Sequence, residues 1–341
     1  MNILDKIKAA NLVGRGGAGF PTAMKWESVY RSVRHKQHVA CEIGYHGQIV
    51  CQANSNIDKK LSKKCFIVVN CAEGEPGVKK DGWLLANKAE RVIDGVRLAL
   101  DFLGAEKVYF YINHEYYGLY ENKIMAAVRR AGIAKKFVFF VKPIYAGYIG
   151  GEETAVLNTI EGKKPEPRLR PPYPTAHGLW GWPTLVNNVE TFYNVSLVDR
   201  NEFKDERLYG LGGQARHKGV FSLPAKMTIK EVLENTGNWP NFDFFVQVGG
   251  DASGEVLNSK QLDVPATGAA SITIHDLKKH NGLSLIKTWL KFFRDNSCGQ
   301  CTPCREGTYR LLEMLEQKSV DWPARSEEHT SELQSHHDLV C

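Results

Sequence analysis

CFIVVNCA, residues 65–72, is a short run rich in β-branched and aromatic side chains. It has the length of a buried strand and is too short for a core helix. KVYFYIN (107–113) and FVFFVKP (137–143) repeat the pattern. Between the first two runs, Ile93, Val96, Leu100 and Leu103 recur at helical spacing ahead of Gly104. Between the second and third, Tyr120, Ile124, Ala127 and Ala131 do the same ahead of Gly132. Glycine just past the last periodic residue is a helix stop. The alternation is βαβαβ, which predicts an α/β fold with a parallel sheet and helices against it.

Toward the C-terminus, GGEETAVLNTIEGKKPEPRLRPPYP (150–174) predicts a helix from about Glu152 to Glu161, stopped at Gly162, then a stiff proline-rich segment with little backbone freedom to lose. From about Lys204 the character changes. GVFSL, TIKEVLENTG, DFFVQVGG and SITIHD read as strand, helix, strand and strand, a small β-grasp-like unit. LSLIKTWLKFFRDNS and REGTYRLLEMLEQK have helical periodicity and flank a cysteine triplet. The expected division is 1–203, 204–278, 279–324 and a separate tail, 325–341.

A chain of 341 residues that is 43% apolar can bury a substantial core. No stretch approaches the roughly eighteen continuous apolar residues of a membrane span, and the start, MNILDKIKAANLVG, lacks a signal-peptide pattern. The expectation is a cytoplasmic protein with no direct membrane insertion. The formal charge of +6 owes most to seven Lys/Arg against two acids between Arg31 and Lys64. Without interleaved aromatics this reads as a solvated insertion rather than a nucleic-acid surface. The widely spaced Cys41, Cys51, Cys65 and Cys71 read as buried thiols.

GRGGAGFPTAMKW (14–26) contains the Gly14-x-Gly16-x-x-Gly19 spacing of a dinucleotide-binding turn. That turn needs a strand before it, a helix directly after it and an acid about twenty residues on. Here the upstream Ile3/Leu4, Ile7 and Ala10 are helical, Phe20-Pro21 is expected to interrupt any immediate helix, and the segment beyond Glu27 reads as irregular and polar. The glycines instead let backbone amides approach an anion or a flat ring, with Lys25 in reach of a phosphate and Phe20 available to stack.

SCGQCTPCREG carries Cys298, Cys301 and Cys304 at C-x2-C-x2-C spacing. Three thiolates from one loop suit three corners of a 4Fe–4S cluster. Zinc would favour two separated pairs or a Cys/His mixture.

GRGGAGFPTAMKW, NCAEGEPGVKKD (70–81), YIGGEETAVLNTIEG (148–162), PRLRPPYP (167–174), GLWGWPTLVNNVETF (178–192) and SCGQCTPCREGT (297–308) together resemble one family. It is the FMN-binding, NADH-oxidising flavoprotein subunit of respiratory complex I, with its relatives in NAD-linked hydrogenases and formate dehydrogenases. The resemblance implies a Rossmann-like flavin domain, a β-grasp domain of the soluble-ligand-binding type and a helical iron–sulfur domain. It implies that Gly14, Gly16, Lys25, Asn70, Gly151, Glu152, Asn187, Asn188 and Thr191 hold FMN. Phe20, Glu75, Glu153, Arg170 and Tyr173 would face NADH, and Cys298, Cys301 and Cys304 would ligate the cluster. No side chain is expected to act as acid or base, because the flavin itself takes the hydride. The implied partners are a 2Fe–2S thioredoxin-like subunit and a larger iron–sulfur subunit, through which any membrane association is made.

The chain departs from that family in places. Ala72 stands where the family has Asp, Lys79 where it has Phe, Gly82 where it has Arg, and Ser28 where an aromatic is common. One contact to the ribityl chain is therefore expected to be absent or supplied elsewhere. RSEEHTSELQSHHDLVC (325–341) loses helical periodicity and resembles translated sequencing adapter, so Cys341 is expected not to be the fourth ligand. Two other readings stay open. One is an electron-transfer subunit of Rnf-type ferredoxin:NAD oxidoreductases, which normally carry the duplicated cysteine runs missing here; the other is a non-catalytic scaffold paralogue.

Overall fold

The computed structural model describes residues 1–34, 39–43, 49–53 and 64–317. Two helices, α1 (Ile3–Ala9) and α2 (Thr22–Arg34), bracket the glycine-rich loop, and a hairpin of β1 (Val39–Ile43) and β2 (Ile49–Ala53) follows. The segment expected to be irregular therefore contains paired strands. Pro21 does not interrupt a helix either; α2 begins at the next residue, and a proline is well tolerated at a helix start because its missing N–H would have no partner there. The cysteines at 41 and 51 face each other in the hairpin register; their side chains lie outside the described residues, as does the 318–341 segment.

The three strand-like runs become β3 (Phe66–Cys71), β4 (Lys107–Ile112) and β5 (Phe137–Val141), joined by α3 (Lys80–Leu103) and α4 (His114–Arg130). After α5 (Glu153–Ile160) comes β6 (Thr184–Asn188), which leads without a loop into α6 (Val189–Asp199). All four strands are parallel, in the order β5-β4-β3-β6. Both faces of this sheet are covered. Ile67, Val69, Val108, Phe110 and Ile112 share a core with α3, α4 and α6, whereas Phe66, Val68 and Tyr111 pack with Val156, Leu157 and Ile160 of α5. Burial on both sides is why CFIVV lacks polar alternation. Gly104 and Gly132 end their helices with φ of 66° and 72°.

The next part of the chain forms a mixed sheet of β7 (Glu206–Gly213), β8 (Gly219–Pro224), β9 (Phe244–Val248), β10 (Glu255–Asn258) and β11 (Ser271–Asp276), in the order β10-β9-β11-β7-β8. Only β11 and β7 run parallel. Helix α7 (Ile229–Asn235) starts with a reciprocal Thr228–Glu231 capping box and buries Ile229, Val232 and Leu233 against this sheet. Helices α8 (Gly282–Asn296) and α9 (Thr308–Glu316) then flank the cysteine loop, which passes into α9 through a π-helical turn, Pro303–Gly307.

Candidate active site

Strands β4 and β5 extend the parallel sheet on one side of β3 and β6 extends it on the other. The connections therefore diverge at the C-terminal ends of β3 and β6, the place where open parallel sheets bind ligands. A cleft of about 270 Å³ lies there, close to the small end of the roughly 300–1,000 Å³ range of small-molecule pockets. Its walls combine Gly16 from the glycine loop, Asn70 and Ala72 to Glu75 from the end of β3, Tyr148, Ile149, Gly151 and Glu152 ahead of α5, and Asn188 from the end of β6.

The polar side chains at these strand ends hold the walls together. Asn70 donates from Nδ2 to the Gly151 carbonyl at 2.9 Å and accepts the Ala72 amide on Oδ1 at 3.2 Å. Asn188 caps α6 by accepting the Glu190 amide, accepts from Lys80 Nζ, and donates to Asp81 and to the Asn70 carbonyl. Its two amide hydrogens and two oxygen lone pairs are thus all engaged within the protein. Asn187 is buried and accepts from Trp26 Nε1 at 3.2 Å, and Thr191 accepts the Arg15 amide at 3.0 Å. Gly14 donates to the Phe20 carbonyl at 2.8 Å, closing the glycine loop, and an added Cβ at Gly16 would stand 3.4 Å from Asn188 Cβ. The loop is held against the end of β6, and Gly17 and Gly19 have positive φ with open space around them. Such a bare backbone edge can approach a flat ligand closely.

Charged residues divide into two groups. Under the cleft, Lys80 is fully buried between Asp81 (2.8 Å) and Glu190 (3.1 Å), and these carboxylates hold its ammonium pKa far above the ordinary value despite burial. Glu73, in a left-handed conformation at φ 32°, accepts the amides of Asp81 and Gly82 at the start of α3 and the Tyr116 hydroxyl at 2.6 Å. Burial first, then the Asp81 charge, push its carboxyl pKa up to about 7. At the rim, Lys25 pairs with Glu153 at 2.6 Å and donates to the Val186 carbonyl, and Arg170 pairs with Glu152. Glu152 also caps α5 through the amides of Thr154 and Ala155.

Two further contacts join the cleft to the rest of the chain. Glu75 accepts the amides of Ala252 and Ser253, both at 2.9 Å, and the Ser253 hydroxyl at 2.8 Å. Tyr148 donates its backbone amide to Asn296 Oδ1 at 3.0 Å, and its ring packs edge-on against Phe292 and Phe293 of α8. Asn296 stands two residues before Cys298, so the cysteine loop abuts the cleft wall. Cys298, Cys301 and Cys304 are half-buried. Among the described residues no three Cys, His, Asp or Glu side chains are gathered at metal-ligand spacing, so the thiols would have to turn inward onto a cluster. Their donor chemistry suits iron–sulfur ligation.

Residues 48–197 match the family described as the Nuo51 FMN-binding domain, and residues 284–340 match the NADH-ubiquinone oxidoreductase-F iron-sulfur binding region. The NADH-quinone oxidoreductase F protein of Buchnera aphidicola (subsp. Schizaphis graminum) is 32% identical over 93% of this chain and 73% of its own length. The chain belongs to this family. The Escherichia coli member is 30% identical, over 92% of this chain and 73% of its own. Among solved structures, an air-oxidised NAD+-reducing [NiFe]-hydrogenase superposes with a TM-score of 0.75 at 30% identity, over 92% of this chain. This chain spans about half, 53%, of that hydrogenase chain. The iron–sulfur match extends through most of the segment that the sequence reading set apart as a tail.

Of the residues expected to meet cofactor or substrate, the cleft lining gathers Gly16, Asn70, Glu75, Gly151, Glu152 and Asn188. Asn187, Thr191, Lys25 and Gly14 stand behind or beside it, bound to neighbouring backbone and side chains. Phe20 and Tyr173 are 49% and 58% exposed and lie outside that lining, as do Glu153 and Arg170. The sequence reading missed Glu73, Lys80, Asp81 and Tyr148. It also missed Tyr116, whose ring explains a departure from the family pattern. A Cβ at Gly82 would meet that ring at 2.6 Å, so the tyrosine fills the space a side chain at position 82 would need, and it hydrogen-bonds Glu73. At another departure, Ala72, a Cβ on Gly151 would come within 3.3 Å, a packing contact.

Proposed function

We propose that this chain is the NADH-oxidising flavoprotein subunit of a multi-subunit NADH-quinone oxidoreductase or hydrogenase complex. Gly14, Gly16, Asn70, Gly151, Glu152, Asn187, Asn188 and Thr191 form the flavin cradle, with Lys25 toward the FMN phosphate. Asn188 serves as a wall, since its hydrogen bonds are already used, whereas the glycine-loop backbone is open to a ligand. NADH enters from the rim, where Phe20 and Tyr173 offer exposed aromatic faces and Glu75, Glu153 and Arg170 offer polar contacts. FMN, when bound, takes a hydride and gives up its electrons singly. The protein's part is to hold two rings in register and exclude water, which orientation alone makes a large contribution to rate.

The observation that carries this reading is the Tyr148–Asn296 contact, which sets the wall of the cleft against the loop of Cys298, Cys301 and Cys304. A flavin in the cleft would stand beside the first metal centre of an electron-transfer chain. The thiols would hold three corners of a 4Fe–4S cluster. The acceptors would be a 2Fe–2S thioredoxin-like subunit and a larger iron–sulfur subunit. Among the described residues no helix is long and apolar enough to cross a membrane, which fits a cytoplasmic arm attached through such partners.

The test is anaerobic expression of the chain followed by FMN and iron analysis and an NADH-to-ferricyanide assay. The expected preparation holds FMN and iron and turns over with NADH. A folded chain that retains neither under these conditions refutes the proposal.

A further inference from the structure

The Glu75 carboxylate, expected to face NADH, is already engaged on both oxygens by the protein. Oε1 accepts the amides of Ala252 and Ser253, and Oε2 accepts the Ser253 hydroxyl. The Tyr148 hydroxyl stands beside this carboxylate and the Ser253 hydroxyl. A carboxylate has about four acceptor positions, so these three donors take most of them, and Tyr148 crowds what is left. The contact is built from both sides. Gly250, at φ 149°, leaves the room that Glu75 fills, since a Cβ there would come within 2.2 Å of it; a Cβ on Gly77 would come within 2.4 Å of Asp251. The Asp251 amide donates to the Pro76 carbonyl at 2.8 Å, and Thr273 donates to the Asp251 carboxylate. The β9–β10 loop of the mixed sheet is thereby clasped onto the loop that follows β3.

We propose that Ser253 is a latch on the nucleotide site, whose hydroxyl occupies the Glu75 lone pair that a ribose hydroxyl of NADH takes on binding. The latch rests on the assignment of Glu75 to the NADH side. Of these groups, the two amides are fixed by the loop and Tyr148 is anchored by α8, while Ser253 is exposed and its hydroxyl can rotate away. Exchange of one hydroxyl for another then costs the nucleotide roughly the net value of the hydrogen bond it displaces. The same exchange makes the mixed sheet part of the substrate site, not a neighbour of it.

Calorimetric titration of NAD+ into the flavin-loaded chain tests this without turnover. Ser253→Ala should tighten NAD+ about ten-fold, the value of one hydrogen bond to a charged carboxylate, while Ser253→Thr, which restores a hydroxyl, should return it to the parent affinity. Unchanged or weaker NAD+ binding in Ser253→Ala overturns the latch. Glu75→Gln separates the two claims. If its NAD+ affinity matches the parent, the assignment of Glu75 to NADH fails and the latch with it. If Glu75→Gln weakens binding and Ser253→Ala does not tighten it, only the latch fails.

Discussion

Lys80 carries the clearest energetic consequence of any single residue. Its ammonium is surrounded by Asp81, Glu190 and the Asn188 oxygen and is shut off from water. Truncating one member of a buried charge cluster leaves the others uncompensated. Lys80→Met should therefore cost about 3–5 kcal/mol in urea unfolding, far more than the loss of an exposed ion pair such as Arg97–Asp101. Glu73 carries a pH signature. Its folded pKa is raised from 4.5 to about 7, so between those values the folded chain holds more protons than the unfolded one. Stability from this group is present at low pH and falls as pH rises through that window. Denaturant melts at pH 5 and pH 7.5 should show the decline, and Glu73→Gln should flatten it. Neither residue was legible as more than a letter in a motif. Lys80 meets Glu190 across 110 positions, and no local pattern announces such a partner.

At the scale of elements, β3, β4, β5 and the helices between them were readable because apolar runs of strand length alternate with helical periodicity and glycine stops. Strand β6 was not. It is five residues long and passes straight into α6, so TLVNNVETF read as a set of ligand residues instead of a strand and a helix cap. Yet its position on the far edge of β3 is what creates the switch point. Helix α6 packs closely on α3, and Gly95 allows this, since a Cβ there would sit 1.9 Å from the Phe192 carbonyl oxygen. That contact is with backbone, which cannot rotate away. Gly95→Ala should thus destabilise the chain by about 3 kcal/mol, where an ordinary helical Gly→Ala would stabilise it. A thermal midpoint at or above the parent's would show that the two helices do not meet this closely.

Over the whole molecule, the cleft is assembled from segments far apart in sequence, and the six motifs mark most of them. The motifs found Gly16, Asn70, Gly151, Glu152 and Asn188 of the lining, but they could not say that Asn188 is used up in holding β3, α3 and α6 together. Nor could they say that Glu75 reaches the mixed sheet and Tyr148 reaches α8, because those contacts exist only once three parts of the chain are folded against one another. Under the proposed assignment, their joint meaning is that nucleotide rim, flavin cleft and cysteine loop stand in one series. Anaerobic addition of NADH to the flavin-loaded chain, followed by rapid-mixing absorbance, examines that series directly. Stoichiometric NADH should bleach the flavin band, and the iron–sulfur absorbance should fall next. A flavin that stays oxidised in excess NADH would contradict the assignment.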